Sequence, residues 1–160
     1  MPEETTMMTT DAKPRLQTGH VGLNVSDLAR ANRFYQNVFG FQVTHESAEP
    51  GREFAFLSEG DVLVLTLWQQ SQGRFGAGSP GLHHLSFLVP TMDDVRAAEE
   101  RARTAGARFF HDAIVPHAEG AASGGIFFED PDGIRLEIFA ATGAEGQRAP
   151  TAGAPTCGFF

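Results

Sequence analysis

The sequence predicts a single α+β domain built from two copies of a βαβββ unit, and three observations carry that expectation. The stretch GHVGLNVSDLARANRFYQNVFGFQV, from Gly19, aligns with HHLSFLVPTMDDVRAAEERARTAGARFF, from His83, an internal repeat of the kind left by a duplicated supersecondary unit. In each copy a short apolar run gives way to apolar residues at helical spacing, bounded by capping residues. Three strand-like runs follow each helix, and the last two of the chain are joined by EDPDG. At 160 residues there is room for one ordinary domain.

The elements follow in order. The first helix is expected from Leu28 to Phe39, with Asp27 or Ser26 as N-cap, Leu28, Ala31, Phe34, Tyr35 and Val38 on one face, and Gly40 as its stop. The second runs from Met92 to Ala105, after Pro90 and Thr91, with Asp93 and Asp94 in its first turn and Gly106 beyond its end. Strands are expected at 41–46, 53–58 and 62–69 in the first unit and at 107–115, 124–129 and 134–140 in the second. Asp130, Pro131, Asp132 and Gly133 have the positional preferences of a type I turn. Module one thus spans residues 16–70 and module two 82–141, together one domain over 16–141. Residues 1–15 and 142–160 have the composition of flexible tails, although the final CGFF is apolar enough to dock, for instance on a neighbouring subunit. Gln70 to Gly81 is Gly/Ser-rich, a linker or a lid.

Composition limits the function. Twelve Lys and Arg against 20 Asp and Glu give a net charge of -8, which argues against nucleic acid or an anionic membrane as partner. One cysteine, Cys157, permits no intrachain disulfide, so a cytoplasmic compartment is expected. The first residues lack the order of a signal peptide, and the longest apolar run, Val62 to Trp68, is too short to span a bilayer.

Strand parity then sorts the histidines. Side chains alternate between faces of a strand, so His83 shares the core face with Leu85, Phe87 and Val89 or stands at the strand's entrance, and His84 points the other way. In the first unit Val21, Leu23 and Val25 face the core and His20 does not; in the last strand Ile134, Leu136 and Ile138 face it and Glu137 does not. Three strands therefore send His20, His84 and Glu137 to the open side of the sheet. Two imidazoles and a carboxylate form a facial triad, which leaves metal positions free for substrate; a structural zinc site would be closed by four protein ligands.

These residues, with the FYQNVFGF and DPDG stretches, resemble the vicinal oxygen chelate superfamily, which includes glyoxalase I, extradiol dioxygenases, fosfomycin-resistance enzymes, methylmalonyl-CoA epimerase and bleomycin-resistance proteins. The resemblance covers about residues 16 to 141. It implies paired βαβββ modules forming a cup-shaped, partly open β-barrel with flanking helices around a divalent metal, commonly in a homodimer, with His20, His84 and Glu137 as ligands. The fourth ligand of glyoxalase I would fall in Val62–Trp68, where no carboxylate or amide occurs, and Gly22 stands where the fosfomycin enzymes carry threonine. The resemblance therefore implies dioxygenase-type chemistry on a small organic substrate, an aromatic one included, with a glyoxalase-like lyase or isomerase, or a drug-sequestering protein, as alternatives. Iron(II) is the favoured ion, with zinc, manganese, nickel or cobalt as substitutes. Val64, Thr66, Trp68 and Phe139 are expected to line the substrate pocket, and His117 and Arg135 are the candidates for catalytic roles; His45 and His111 are further imidazoles available to the cup.

Overall fold

In the computed structural model, which describes residues 13–160, the chain runs β1 (Val21–Asn24), α1 (Leu28–Phe39), β2 (Gln42–Ser47), β3 (Phe54–Glu59), β4 (Val62–Trp68), β5 (Leu85–Leu88), α2 (Met92–Thr104), β6 (Val115–Pro116), β7 (Gly124–Glu129) and β8 (Arg135–Ala140). Of the expected N-terminal tail, residues 1–12 lie outside the described residues. The strands form two four-stranded sheets, β1-β4-β3-β2 and β5-β8-β7-β6, the same unit twice. In each, the first strand pairs parallel with the last. Neither sheet closes on itself, which leaves each with one open face. Among the described residues no helix is long and apolar enough to cross a membrane.

Local chemistry accounts for the helix ends. Asp27 is the N-cap of α1, its carboxylate accepting from the Arg30 N–H at 2.9 Å, and Gly40 closes the helix in the left-handed region at φ 77°, where a side chain would be strained. At α2 the Thr91 hydroxyl and the Asp94 carboxylate satisfy each other's backbone N–H groups in a capping box.

One expected strand is largely absent. The segment 107–115 touches β7 at Phe109 and Phe110, leaves it, and pairs again only at Val115–Pro116. The polar pair His111-Asp112 interrupts the apolar run there, and Pro116 donates no ladder hydrogen bond. β7 tolerates its close neighbours because Gly125 lies opposite Phe139; a Cβ on Gly125 would come 2.0 Å from the Ile138 carbonyl oxygen.

Both modules share one core. Leu23, Val25, Leu57, Leu65 and Leu67 from the first pack in the same cluster as Val95, Ile126, Phe128, Leu136 and Ile138 from the second. The Phe39 ring bridges them, 5.7 Å from Tyr35 and 5.2 Å from Phe41 in its own module, 4.8 Å from Phe87 and 6.2 Å from Phe128 in the other.

Polar groups complete the junction. The Tyr35 hydroxyl donates to Asp130 Oδ2 at 2.9 Å, with the ring fully buried. The other carboxylate oxygen of Asp130 accepts the Asp132 and Ile134 N–H groups, both at 2.8 Å, and Gly133 N–H donates to the Asp130 carbonyl at 3.0 Å, closing the expected turn. Asp132 reaches across to module one, accepting from the Ser26 N–H and hydroxyl and pairing with Arg30 at 2.9 Å. Phe75 N–H donates to the Asp132 carbonyl, so the Gln70–Gly81 connection is tethered to the same turn.

Burial outweighs three donors at Asp130 and lifts its carboxyl from 3.8 to about 6. A raised carboxyl binds its proton longer in the folded state, so this contribution is full at low pH and is lost as pH rises from about 4 to about 6. The ceiling is about 3 kcal/mol, from roughly 1.4 kcal/mol per pH unit. Urea unfolding measured across pH 4 to 7 is expected to show the loss in the native chain and not in Asp130→Asn, while Tyr35→Phe costs about 1–3 kcal/mol.

Candidate metal centre

Glu137 lies in the middle of β8, opposite Ser86 of β5 and Phe127 of β7. Since Leu136 and Ile138 point into the core, it projects from the open face of the second sheet, yet it is only 2% exposed. Among the described residues no Lys or Arg pairs with it. Two imidazoles do: His84 Nε2 is 3.5 Å from Oε2, and His117 Nε2 is 2.5 Å from Oε1. His117 Nδ1 lies 2.8 Å from the Ser123 hydroxyl, and His84 Nδ1 lies 2.8 Å from His83 Nδ1. A polar chain His83–His84–Glu137–His117–Ser123 therefore crosses the face.

Donor and acceptor roles follow from the carboxylate, which only accepts. His117 donates from Nε2 to Glu137 and accepts at Nδ1 from Ser123. Burial pushes the His84 pKa down, with the Glu137 charge opposing in part. Neutral His84 that donates from Nδ1 to His83 keeps the Nε2 lone pair free toward Glu137, the tautomer a metal ligand requires. The 3.5 Å between His84 Nε2 and Glu137 Oε2 matches two ligands each about 2.1 Å from one ion at a tetrahedral angle. The pair fits a divalent cation, and a nearly buried carboxylate whose ion-pair partners among the described residues are imidazoles alone is the donor chemistry such an ion satisfies.

His20 stands elsewhere. It is exposed just before β1, bordering a groove formed with Val62–Leu65 and Leu85–Phe87, and it forms no ion pair with Glu137. Among the described residues no group of three or more His, Cys, Asp or Glu is placed to share an ion. The pocket residues also divide. Trp68 and Thr66 lie on the open face of the first sheet, joined by a 3.0 Å hydrogen bond from the indole N–H to the hydroxyl, beside Phe54, Phe56 and His45. Phe139 lies on the second, 4.9 Å from the His117 ring. Val64 packs at the edge of the core and borders the groove beside His20. Arg135 lies over the Phe110 and Phe160 rings, 5.6 Å from each.

Of the two expectations for His83, the core face and the strand's entrance, the second holds. β5 begins at Leu85, so both histidines precede the ladder, and His83 is exposed and touches His84 instead of packing in the core. Ser123 and Cys157 carry no sequence signal that assigns them here; Cys157 arrives from the C-terminal segment, where burial and the Glu137 charge push its thiol up.

A family model described as Glyoxalase/Bleomycin resistance protein/Dioxygenase superfamily matches residues 17–138. The chain is 28% identical over 124 residues to a catechol-2,3-dioxygenase of Bacillus subtilis, an alignment covering 76% of this chain and only 40% of that protein. It is 29% identical over 135 residues to a lactoylglutathione lyase of Haemophilus influenzae, covering 77% and 91%. A glyoxylase/bleomycin resistance protein/dioxygenase domain from Frankia superposes with a TM-score of 0.66 at 29% identity, over 80% of this chain and 99% of that one. The fosfomycin resistance protein FosX from Listeria monocytogenes, in a mutant complexed with Mn(II) and dihydroxypropylphosphonic acid, superposes with a TM-score of 0.61 at 20% identity, over 79% and 92%. At that identity the likeness to FosX is one of fold.

The polar chain sets different costs on its members. His117→Ala leaves one oxygen of a buried carboxylate without its donor and is expected to destabilise by about 1–3 kcal/mol. His83→Ala, at an exposed position, should stay within about 0.5 kcal/mol. Thermal and urea unfolding of the two variants checks the order.

Proposed function

Because the chain belongs to the Glyoxalase/Bleomycin resistance protein/Dioxygenase superfamily, we propose that it is a divalent-metal enzyme acting on a small organic substrate bound through vicinal oxygens, with dioxygenase-type chemistry at His20, His84 and Glu137. The observation that carries this is the His84–Glu137 pair, set at ligand spacing on the open face of the second sheet. The favoured ion, iron(II), supplies Lewis acidity and access to dioxygen when bound.

The chain's own residues do the rest. His117 and Ser123 fix Glu137 Oε1 and leave Oε2 toward His84; His83 sets the tautomer of His84. Arg135, on the Glu137 side of β8, orients a substrate carboxylate or enolate. Phe127 and Phe139 on the second sheet, with Trp68 and Thr66 on the first, bury an aromatic ring and exclude water. His20 lies apart from the pair within one copy, so the centre is completed by a second copy of the chain, in keeping with a homodimer. A lyase or isomerase is less well supported: β4 offers no carboxylate or amide, and the Thr66 hydroxyl is already taken by Trp68.

Elemental analysis after anaerobic loading with iron(II) is expected to find one ion per chain and none in His84→Ala. Mixed His20→Ala and His84→Ala chains should regain metal that neither holds alone. A native chain that retains no metal, and binds an organic ligand tightly in the presence of chelator, would instead make this a sequestering protein.

A further inference from the structure

The segment after the repeat, expected as a flexible tail, lies on its own second module. Thr156 is buried, its N–H donating to the His117 carbonyl at 2.7 Å and its hydroxyl to the Pro116 carbonyl at 2.6 Å. A short 3-10 turn at Thr156–Gly158 then carries the chain over the open face. The Phe160 ring ends 4.7 Å from Phe127, 5.0 Å from Phe110 and 5.5 Å from His84. Phe127 is the cross-strand neighbour of Glu137, so this ring covers the face from which Glu137 projects. Upstream, residues 148–153 stand off the sheet and wall a cleft of about 840 Å³ against Phe110–Ala113, and His111 Nε2 is buried near it without a partner. The last residues are fastened at Thr156 and Phe160, with Phe159 exposed between them, and upstream Ala144 is buried and the Ala149 N–H donates to Glu119.

We propose that residues 156–160 form a self-docked strap over the His84–Glu137 pair, latched by the Phe160 ring, which swings off the second sheet to let ion, substrate and a second copy's first sheet reach that face. What the strap gates rests on the metal-centre proposal; that it shields the face rests on the contacts above. Beyond two hydrogen bonds at Thr156, the Phe160 ring alone latches the strap to the sheet, with Phe159 exposed, and a segment held at its two ends opens locally at lower free-energy cost than the sheet beneath it. The closed strap and a completed centre occupy the same face, so opening and completion are coupled.

Acylation of histidines by diethyl pyrocarbonate, followed residue by residue by mass spectrometry on the metal-free protein, tests this. The full chain is compared with Phe160→Ala and with a chain ending at Pro155, each checked by far-UV circular dichroism. His84 is expected to react about tenfold faster in both, as when the native strap is open about a tenth of the time, while the exposed His20 and His45 keep their rates. Equal His84 rates in all three proteins would overturn the strap. The readout needs no metal: should Mn(II) then fail to slow His84 acylation in the opened chain, the metal centre is contradicted and a faster His84 still supports the strap.

Discussion

The hydrogen bond from the Tyr35 hydroxyl to Asp130, made among buried side chains, is the contact on which the arrangement of the two modules turns. It ties a helix of the first module to the turn that feeds β8 of the second. The same turn, through Asp132, clasps the start of α1. The inner faces of both sheets are thereby held on one core and the open faces are turned away from it. The register of β8 follows, because Asp130 also binds the N–H of Ile134, the residue before the strand. A slip of one residue would exchange the faces, burying Glu137 in the core and exposing Leu136 and Ile138. The site on the outer face is therefore set by a clamp on the inner one.

On that outer face Glu137 and the imidazoles beside it carry the donor chemistry that we propose holds a divalent cation. A carboxylate taken out of water is costly unless it is paired or coordinates a metal, and among the described residues Glu137 pairs only with imidazoles. His117 and Ser123 hold one oxygen and leave the other toward His84, whose pKa burial pushes down. Outer partners of this kind orient metal ligands and fix their tautomers. The first sheet contributes a different surface, the aromatic group around Trp68 and Phe54, suited to burying an organic ring.

Much of this was legible in the sequence, and the parts that were not fail for physical reasons. Helix boundaries, the turn and the direction of Glu137 are fixed by residues within a few positions: Asp27, Gly40, Thr91 with Asp94, and the alternation around Leu136 and Ile138. Long-range pairing decided the rest. Residues 107–115 alternate like a strand but lose β7 where His111 and Asp112 interrupt the apolar run. His83 and His84 fall outside β5, where alternation stops governing direction, so neighbours assigned to opposite faces come into contact. The small-residue composition after Ala141 suggested a free tail; Ala144, Ala149, Thr156 and Phe160 dock it, and none is recognisable without its partner surface. Nor does any spacing show that Ser123 would find His117, or that His20 would stand apart from the pair it matches by repeat position.

The central claim is that His84 and Glu137 are the ligands of one divalent ion on the second sheet. Anomalous diffraction from crystals grown with Mn(II) tests it most directly. A single strong anomalous peak between His84 Nε2 and Glu137 Oε2 is the predicted result. A chain that binds Mn(II) with its anomalous density elsewhere, and Glu137 still held only by His117 and His84, would contradict the account.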